Sequence, residues 1–219
     1  MTSSRIPERV RDAERTRADL LTIATQVFAE DGYSGARVDE IAERTRSTKR
    51  MIYYYFGGKE QLYLAVLEQA YTTIRAAEAN LPLDDLAPVE ALRQLAELTY
   101  DHHREHPDFI RLVSIENIHR GEFIRRIHSL PSLSTPLVSR LDRLLAAGRA
   151  TGQFRSDVDA VDVHMVISAY CVFQVANQHT FRYLFGRDLT APANRDHLRA
   201  MIGDVVVGWI TAGWAPGHH

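Results

Sequence analysis

The residues with the most chemistry in them are crowded between Arg44 and Lys59. Arg44, Arg46, Lys49, Arg50 and Lys59 stand there with Tyr53, Tyr54, Tyr55 and Phe56, and no acid interrupts them. Only two of the chain's 26 basic residues are lysines, Lys49 and Lys59, and both fall in this stretch. What such a set does is recognise rather than react. Ammonium and guanidinium groups bind phosphate oxygens or donate to guanine edges, and a tyrosine hydroxyl donates to phosphate. The formal net charge is −2, so any binding of a polyanion has to come from this local patch and not from bulk charge.

Bond-making chemistry finds weaker support. His102 and His106, four apart in Asp101-His102-His103-Arg104-Glu105-His106, could share a zinc ion, but no third ligand is identifiable and the order is not that of a zinc hydrolase. Pro107 stops the helix there, so the pair is expected at an exposed helix end, where histidine complements the dipole. Gly32-Tyr33-Ser34-Gly35 is one residue short of a nucleophile elbow. Gly57-Gly58-Lys59-Glu60 lacks the upstream glycine and the hydroxyl residue of a nucleotide-binding loop. No catalytic residue, metal site or cofactor is expected, and the chain is not read as an enzyme. The single cysteine, Cys171, lies in an apolar run and is expected to be a buried, inert thiol. With no 18-residue apolar run and a charged beginning (Arg5, Glu8, Arg9, Arg11, Asp12), no membrane association is expected and the cytoplasm is the default location. His218 and His219 are given no function.

The elements that must position the basic patch read as helices throughout. Apolar residues recur at helical spacing in Leu20, Leu21, Ala24, Val27, Phe28 and again in Leu198, Met201, Ile202, Val205, Val206, Trp209, Ile210, while period-2 alternation is absent. A first helix is predicted over about 11–30, ended by Asp31-Gly32. A short second helix, about 38–45, has Val38, Ile41 and Ala42 on one face. Ser47 or Thr48 caps a third helix that turns Ile52 and Phe56 inward and Lys49, Arg50, Tyr53 and Tyr54 outward. Gly57-Gly58 ends it, and a longer fourth helix starts near Lys59. The arm before Arg11 carries Arg5 and Arg9 and is read as a tail that becomes helix near Arg11, with minor-groove contact as the other reading.

Two short helices joined by a tight turn, the second presenting basic and aromatic side chains, describe a helix-turn-helix, whose second helix enters the major groove. The segment Val38-Asp39-Glu40-Ile41-Ala42, followed by Thr48-Lys49-Arg50-Met51-Ile52-Tyr53-Tyr54-Tyr55-Phe56-Gly57-Gly58-Lys59-Glu60-Gln61-Leu62, closely resembles the DNA-binding domain of TetR-type regulators, and the resemblance spans Thr16 to Leu67. It implies that Lys49, Arg50 and Tyr53 face base edges and that Tyr54 and Lys59 contact phosphates; Arg37, Arg46, Ser47 and Thr48, beside them in the sequence, are further expected DNA contacts. One position departs from the family. The turn before the recognition helix usually holds a small residue, often glycine, and here it holds Arg46, which either strains the turn if positive φ is required or adds a phosphate contact, an exposed side chain that touches nothing being the favoured reading over the contact.

The expected architecture is all-α: an N-terminal helix-turn-helix domain at 1–56, then an effector-binding and dimerisation domain at 57–219 with 57–80 as a connecting helix. Further helices are predicted near 89–105, 107–118, 122–128, 134–150, 159–185 and 194–211. The stretch Val163 to Ala176 is apolar on nearly every face and must be covered from more than one side. With the last helix it resembles half of a four-helix dimer bundle, and Met201, Val205, Gly208, Trp209 and Ala212 are the expected dimer residues. The resemblance also implies a small-molecule pocket among these helices. The effector candidates are Asn117, His119, Tyr170, Gln174 and Asn177, polar residues set in apolar helices, with Phe109, Ile115 and Phe173 as an apolar wall. The predicted partners are therefore a double-stranded palindromic operator, a small-molecule effector and a second copy of the chain. The function the resemblance implies is that of a ligand-responsive repressor, with an effector-independent DNA-binding protein or an activator as the alternative.

Overall fold

The computed structural model describes residues 8–83 and 85–211, which form ten α-helices and two short 3-10 turns, with no strand among the described residues. In order these are α1 Glu8–Gly35, α2 Val38–Arg44, α3 Lys49–Phe56, α4 Lys59–Ala79, α5 Pro88–Glu105, α6 Pro107–Ile118, α7 Leu130–Ala150, α8 Ala160–Ala176, α9 Gln178–Phe185 and α10 Arg195–Thr211. The predicted all-helical fold is observed.

The chain divides into two compact units. The first comprises residues 1–70 with 111–128, and the second 71–110 with 129–219. Helices α4 and α6 each contribute residues to both. The first unit is thus longer than a module ending at residue 56, because the start of α4 and the segment after Ile110 pack with α1 to α3. Leu20, Ala24, Val27 and Phe28 of α1 are fully buried in it, as are Ile41, Ile52, Leu62, Tyr63, Val66 and Leu67. Its aromatic rings interlock: Phe28 meets Tyr63 at 4.8 Å, and Phe123 meets Tyr33 at 4.3 Å and Tyr63 at 5.0 Å.

The core of the second unit is built from α5, α7, α8 and α10, including Leu92, Leu95, Leu141, Leu145, Val163, Ile167, Ile202 and Val206. Gly148 of α7 is required there, because a Cβ in its place would lie 2.0 Å from the Phe154 ring. α5 and α10 are also held by ion pairs. Arg199 bonds Asp101 (2.8 Å) and Glu97, Arg195 bonds Asp101 (2.8 Å), and Arg93 bonds Asp204 (2.8 Å). The Asp159/Asp162 pair forms a reciprocal capping box at the start of α8.

α1 is broken at Gly32 (φ 71°, ψ 176°), where its end was expected, with a short helical continuation to Gly35, and α7 begins at Leu130 rather than near 134. Two further stretches differ more. The helix predicted at 122–128 is only a 3-10 turn, Ile124–Arg126. α6 ends before it in a left-handed stop, with Arg120 at φ 57° and Gly121 at φ 67°, and the Gly121 amide bonds the Glu116 carbonyl at 2.7 Å. The long helix predicted at 159–185 breaks at Asn177 into α8 and α9, bent by 72°. No single helix among the described residues is long and apolar enough to cross a membrane. The bent α8–α9 pair meets that test by composition, yet α8 buries Val163, Ile167 and Cys171 in the core. Burial pushes the Cys171 thiol up to about 12, as an inert cysteine should behave.

Candidate nucleic-acid interface

α3 is a two-turn helix whose position is set from both ends. At its start the Thr48 side chain accepts from the Met51 amide at 3.4 Å, so of the two hydroxyl residues expected to cap it, Thr48 does. At its end Gly57 takes the left-handed conformation, φ 83°, and its amide bonds the Tyr53 carbonyl. Ile52 and Phe56 anchor the helix in the core, while Lys49, Arg50, Tyr53 and Tyr54 face outward. Tyr54 is 77% exposed, an unusual amount for an aromatic ring unless a partner covers it.

The turn between α2 and α3 resolves one of the two possibilities for Arg46. Its φ is 52°, its amide bonds the Glu43 carbonyl at 3.1 Å, and the next amide, of Ser47, bonds the Ala42 carbonyl at 2.9 Å. This pair of bonds is the glycine-favouring stop for a helix, so an arginine here carries backbone strain. Its side chain is exposed, as are those of Arg37, which occupies the cap position of α2, and Thr48; Ser47 is half-buried.

Not every cation in the patch is available to a ligand in the same way. Arg44 turns back to α1, bonding Gln26 at 2.7 Å and lying 3.6 Å from Glu30, which makes it a structural tie between α2 and α1. Lys49 forms an ion pair with Asp39 of α2 at 2.6 Å, a partner that the basic stretch alone did not reveal. Lys59 sits at the first turn of α4, donates to the Ser34 carbonyl at 3.4 Å and lies over the Tyr33 ring at 4.9 Å. Partial burial holds its ammonium below the usual lysine range. Of the expected contacts, Arg50, Tyr53 and Tyr54 project most freely, and Lys49 and Lys59 are pre-positioned by protein partners.

Sequence reasoning missed Glu116, for which the only signal was an acid on an otherwise apolar turn. It is 3% exposed. Its carboxylate accepts from the Tyr63 hydroxyl (3.0 Å) and from the amides of Phe123 (3.2 Å) and Ile124 (2.9 Å), clamping the 111–128 segment to α4 within the first unit.

The expected effector residues scatter. Asn117 and His119 are exposed, and Asn117 donates to its own helix at Val113 (2.8 Å). These two and Ile115 belong to the first unit, while Phe109, Tyr170, Phe173, Gln174 and Asn177 belong to the second. Phe109 packs against Tyr71 and His103, Tyr170 donates to the Leu198 carbonyl at 2.8 Å, Phe173 is 45% exposed, and Asn177 is the break between α8 and α9. Gln174 is buried, with its side-chain amide nitrogen lacking a partner. The second unit does contain a cavity of about 260 Å³ among α4, α5 and Arg195 of α10, and none of these eight residues lines it.

Histidines cluster nearby. His102, His103 and His164 are each held neutral, near 4, mainly by burial. His102 stacks on His106 at 4.1 Å, so it is half-buried rather than on an open helix end. No group of three or more metal-ligating side chains occurs among the described residues.

Of the expected dimer residues, Val205 and Gly208 are exposed on α10, Met201 is half-buried, and Trp209 packs partly against the core of its own unit beneath Arg155. Ala212 lies outside the described residues, as does the arm with Arg5. α8 adds exposed Val161, Met165 and Phe173.

A strain-bearing helix-turn-helix placed before an all-helical unit defines the class, a DNA-binding regulator. Residues 20–66 match the model for bacterial regulatory proteins of the tetR family, and residues 88–206 match the tetracyclin repressor-like C-terminal domain. The chain is 36% identical over 199 residues to the HTH-type transcriptional repressor NicS of Pseudomonas putida, covering 91% of this chain and 94% of that one. It is 32% identical over 109 residues to the regulator RutR of Escherichia coli, about half of each chain. Among solved structures, the putative transcriptional regulator SCO4942 from Streptomyces coelicolor aligns with a TM-score of 0.62 at 25% identity, over 89% of this chain and 98% of that one. The chain belongs to the TetR family of transcriptional regulators. It is a DNA-binding protein and not an enzyme.

Proposed function

We propose that the chain is a homodimeric repressor that holds a palindromic operator through α3 and releases it when a small molecule fills the second unit. The observation that supports this most strongly is the outward face of α3, where Arg50, Tyr53 and Tyr54 are exposed on a helix anchored by Ile52 and Phe56. Repression is favoured by the likeness to NicS, a protein named as a repressor.

In this reading residues 1–56 read DNA, 57–80 connect, and the rest senses and dimerises. Lys49, Arg50 and Tyr53 address base edges. Tyr54 and Lys59 hold phosphates, together with Arg37, Arg46, Ser47 and Thr48. The dimer forms through Val205 and Gly208 of α10, with Met165 and Phe173 of α8, and reading half-sites in successive major grooves requires two α3 helices about 34–36 Å apart. Met201 and Trp209, both half-buried on α10, complete the proposed interface. The effector acts by population shift, binding the released form more tightly than the operator-bound form. Such a protein works where the chromosome is, in the cytoplasm.

Anisotropy titrations against salt test the division of labour. Tyr54→Phe and Lys59→Ala should weaken binding to operator and scrambled duplex alike, with Lys59→Ala lowering the salt slope by about 0.9, whereas Arg50→Ala should lose base preference. Uniform loss from all three variants would defeat the assignment. Val205→Glu should give monomers by light scattering, and a dimer that persists would place the interface elsewhere.

A further inference from the structure

The cavity in the second unit has a lining whose chemistry restricts what can enter. Ile74 and Ala77 of α4, Leu81 and Leu98 supply an apolar wall. Its volume, about 260 Å³, lies just under the ~300–1,000 Å³ typical of sites for drug-sized ligands, so it suits a molecule of one or two rings. The charged groups facing it are mainly acidic: Glu78, Asp101 and Glu105 against the single guanidinium of Arg195. That guanidinium is already committed, 2.8 Å from Asp101 and 3.8 Å from Glu105, and Glu78 is closed by Arg75 at 2.5 Å. Nothing in the lining is left to neutralise an anion.

One polar atom is left over. His102 lines the cavity, and its Nδ1 is buried without a hydrogen-bond partner, while the Thr99 hydroxyl on the same wall is spent on the Leu95 carbonyl at 2.7 Å. Burial and the neighbouring His106 keep the imidazole neutral, with its pKa near 4, so Nδ1 is able to accept. An unpaired buried nitrogen is a standing cost that a ligand's N–H or O–H removes once the ring turns Nδ1 toward the cavity.

We propose that this cavity is the effector site of the reading above, and that it takes a compact, ring-containing molecule without negative charge that donates a hydrogen bond to His102. The proposal rests on the ligand-released repressor reading for its function, while the binding site itself is testable without DNA.

The test uses four related probes on the full chain: indole as a neutral donor, 1-methylindole without the donor, tryptamine as a cationic donor and indole-3-acetate as an anionic one. Calorimetry and thermal shift should show saturable binding of indole and tryptamine. 1-Methylindole should bind about 5–10-fold more weakly, and indole-3-acetate at least tenfold more weakly than indole. Ala77→Phe fills the cavity and should abolish binding, and His102→Leu should make indole and 1-methylindole equivalent. Each variant is first checked for a cooperative melt and parental operator affinity, with His102→Leu melting at or above the parent. Equal or tighter binding of the anion, binding that survives Ala77→Phe, or no binding by any probe at millimolar concentration would overturn the proposal. Operator binding measured on the same samples separates the two failures. A chain that binds the operator but no probe loses only this site, whereas one that binds no operator loses the regulatory reading as well.

Discussion

Arg46 offers the sharpest test of how this chain builds its reading head. Its φ of 52° lies in the left-handed region, and the amides of Arg46 and Ser47 complete a helix stop that glycine satisfies without strain. A side chain in that conformation costs about 1–2 kcal/mol. Removing the side chain also returns about 0.4–1 kcal/mol of freedom to the unfolded chain, so Arg46→Gly should stabilise the protein by about 0.5–1 kcal/mol net. That corresponds to a melting temperature higher by roughly 1–4 °C for a protein of this size. Arg46→Ala keeps the Cβ and therefore the strain, and should give no such gain. The two variants lose the same charge, so their difference in stability isolates the backbone term, and their shared difference from the parent in salt dependence isolates the phosphate contact. Both should flatten the slope of log K against log salt by about 0.9. Differential scanning calorimetry and anisotropy titrations on the three proteins settle both points. If glycine melts at or below the temperature of alanine, the positive φ carries no strain and the reasoning is wrong. If neither variant changes the slope, Arg46 touches no phosphate.

Three further outcomes follow from the same structure. Asp39→Asn removes the 2.6 Å partner of Lys49 and one acid beside the reading face, so binding to scrambled duplex should tighten roughly fivefold while operator discrimination falls; weaker binding in anisotropy would contradict this. Gly148→Ala drives a Cβ into the Phe154 ring and should cost about 1–3 kcal/mol in urea unfolding, and a neutral result would mean that the ring relocates freely. His103 is buried with a folded-state pKa near 4, below the ~6.5 of an unfolded histidine, so the unfolded chain binds the extra proton. Its contribution is complete above about pH 6.5 and is lost as pH falls toward 4, by on the order of 3 kcal/mol, and His103→Leu should flatten the stability curve over that window.

The sequence was most informative where one physical rule acts alone. Ile52 and Phe56 at i, i+4 anchor α3 because helical periodicity alone places them, and Tyr53 and Tyr54 are exposed for the same reason. The positive φ of Arg46 was legible only as one of two possibilities, since residue type does not reveal backbone conformation. What remained hidden depends on meetings between distant segments. Asp39 pairs with Lys49 across the turn, Glu116 finds Tyr63 over a separation of 53 residues, and the cavity gathers α4, α5 and Arg195. The break at Asn177 was missed although the polar Gln178, His179 and Thr180 follow it, because Phe181, Leu184 and Phe185 resume a helical spacing beyond them. Asn117 and His119 looked like polar residues in an apolar helix, but α6 ends at Ile118 and both face outward.

The central claim, that paired α3 helices read a palindrome, is tested most directly by selecting bound duplexes from a random pool with the full chain at physiological salt and footprinting the winner. The account predicts two inverted half-sites with centres about one helical turn apart or a multiple of it, both protected together and both lost in Arg50→Ala. Enrichment of a single unpaired site, or none above nonspecific binding, would contradict it.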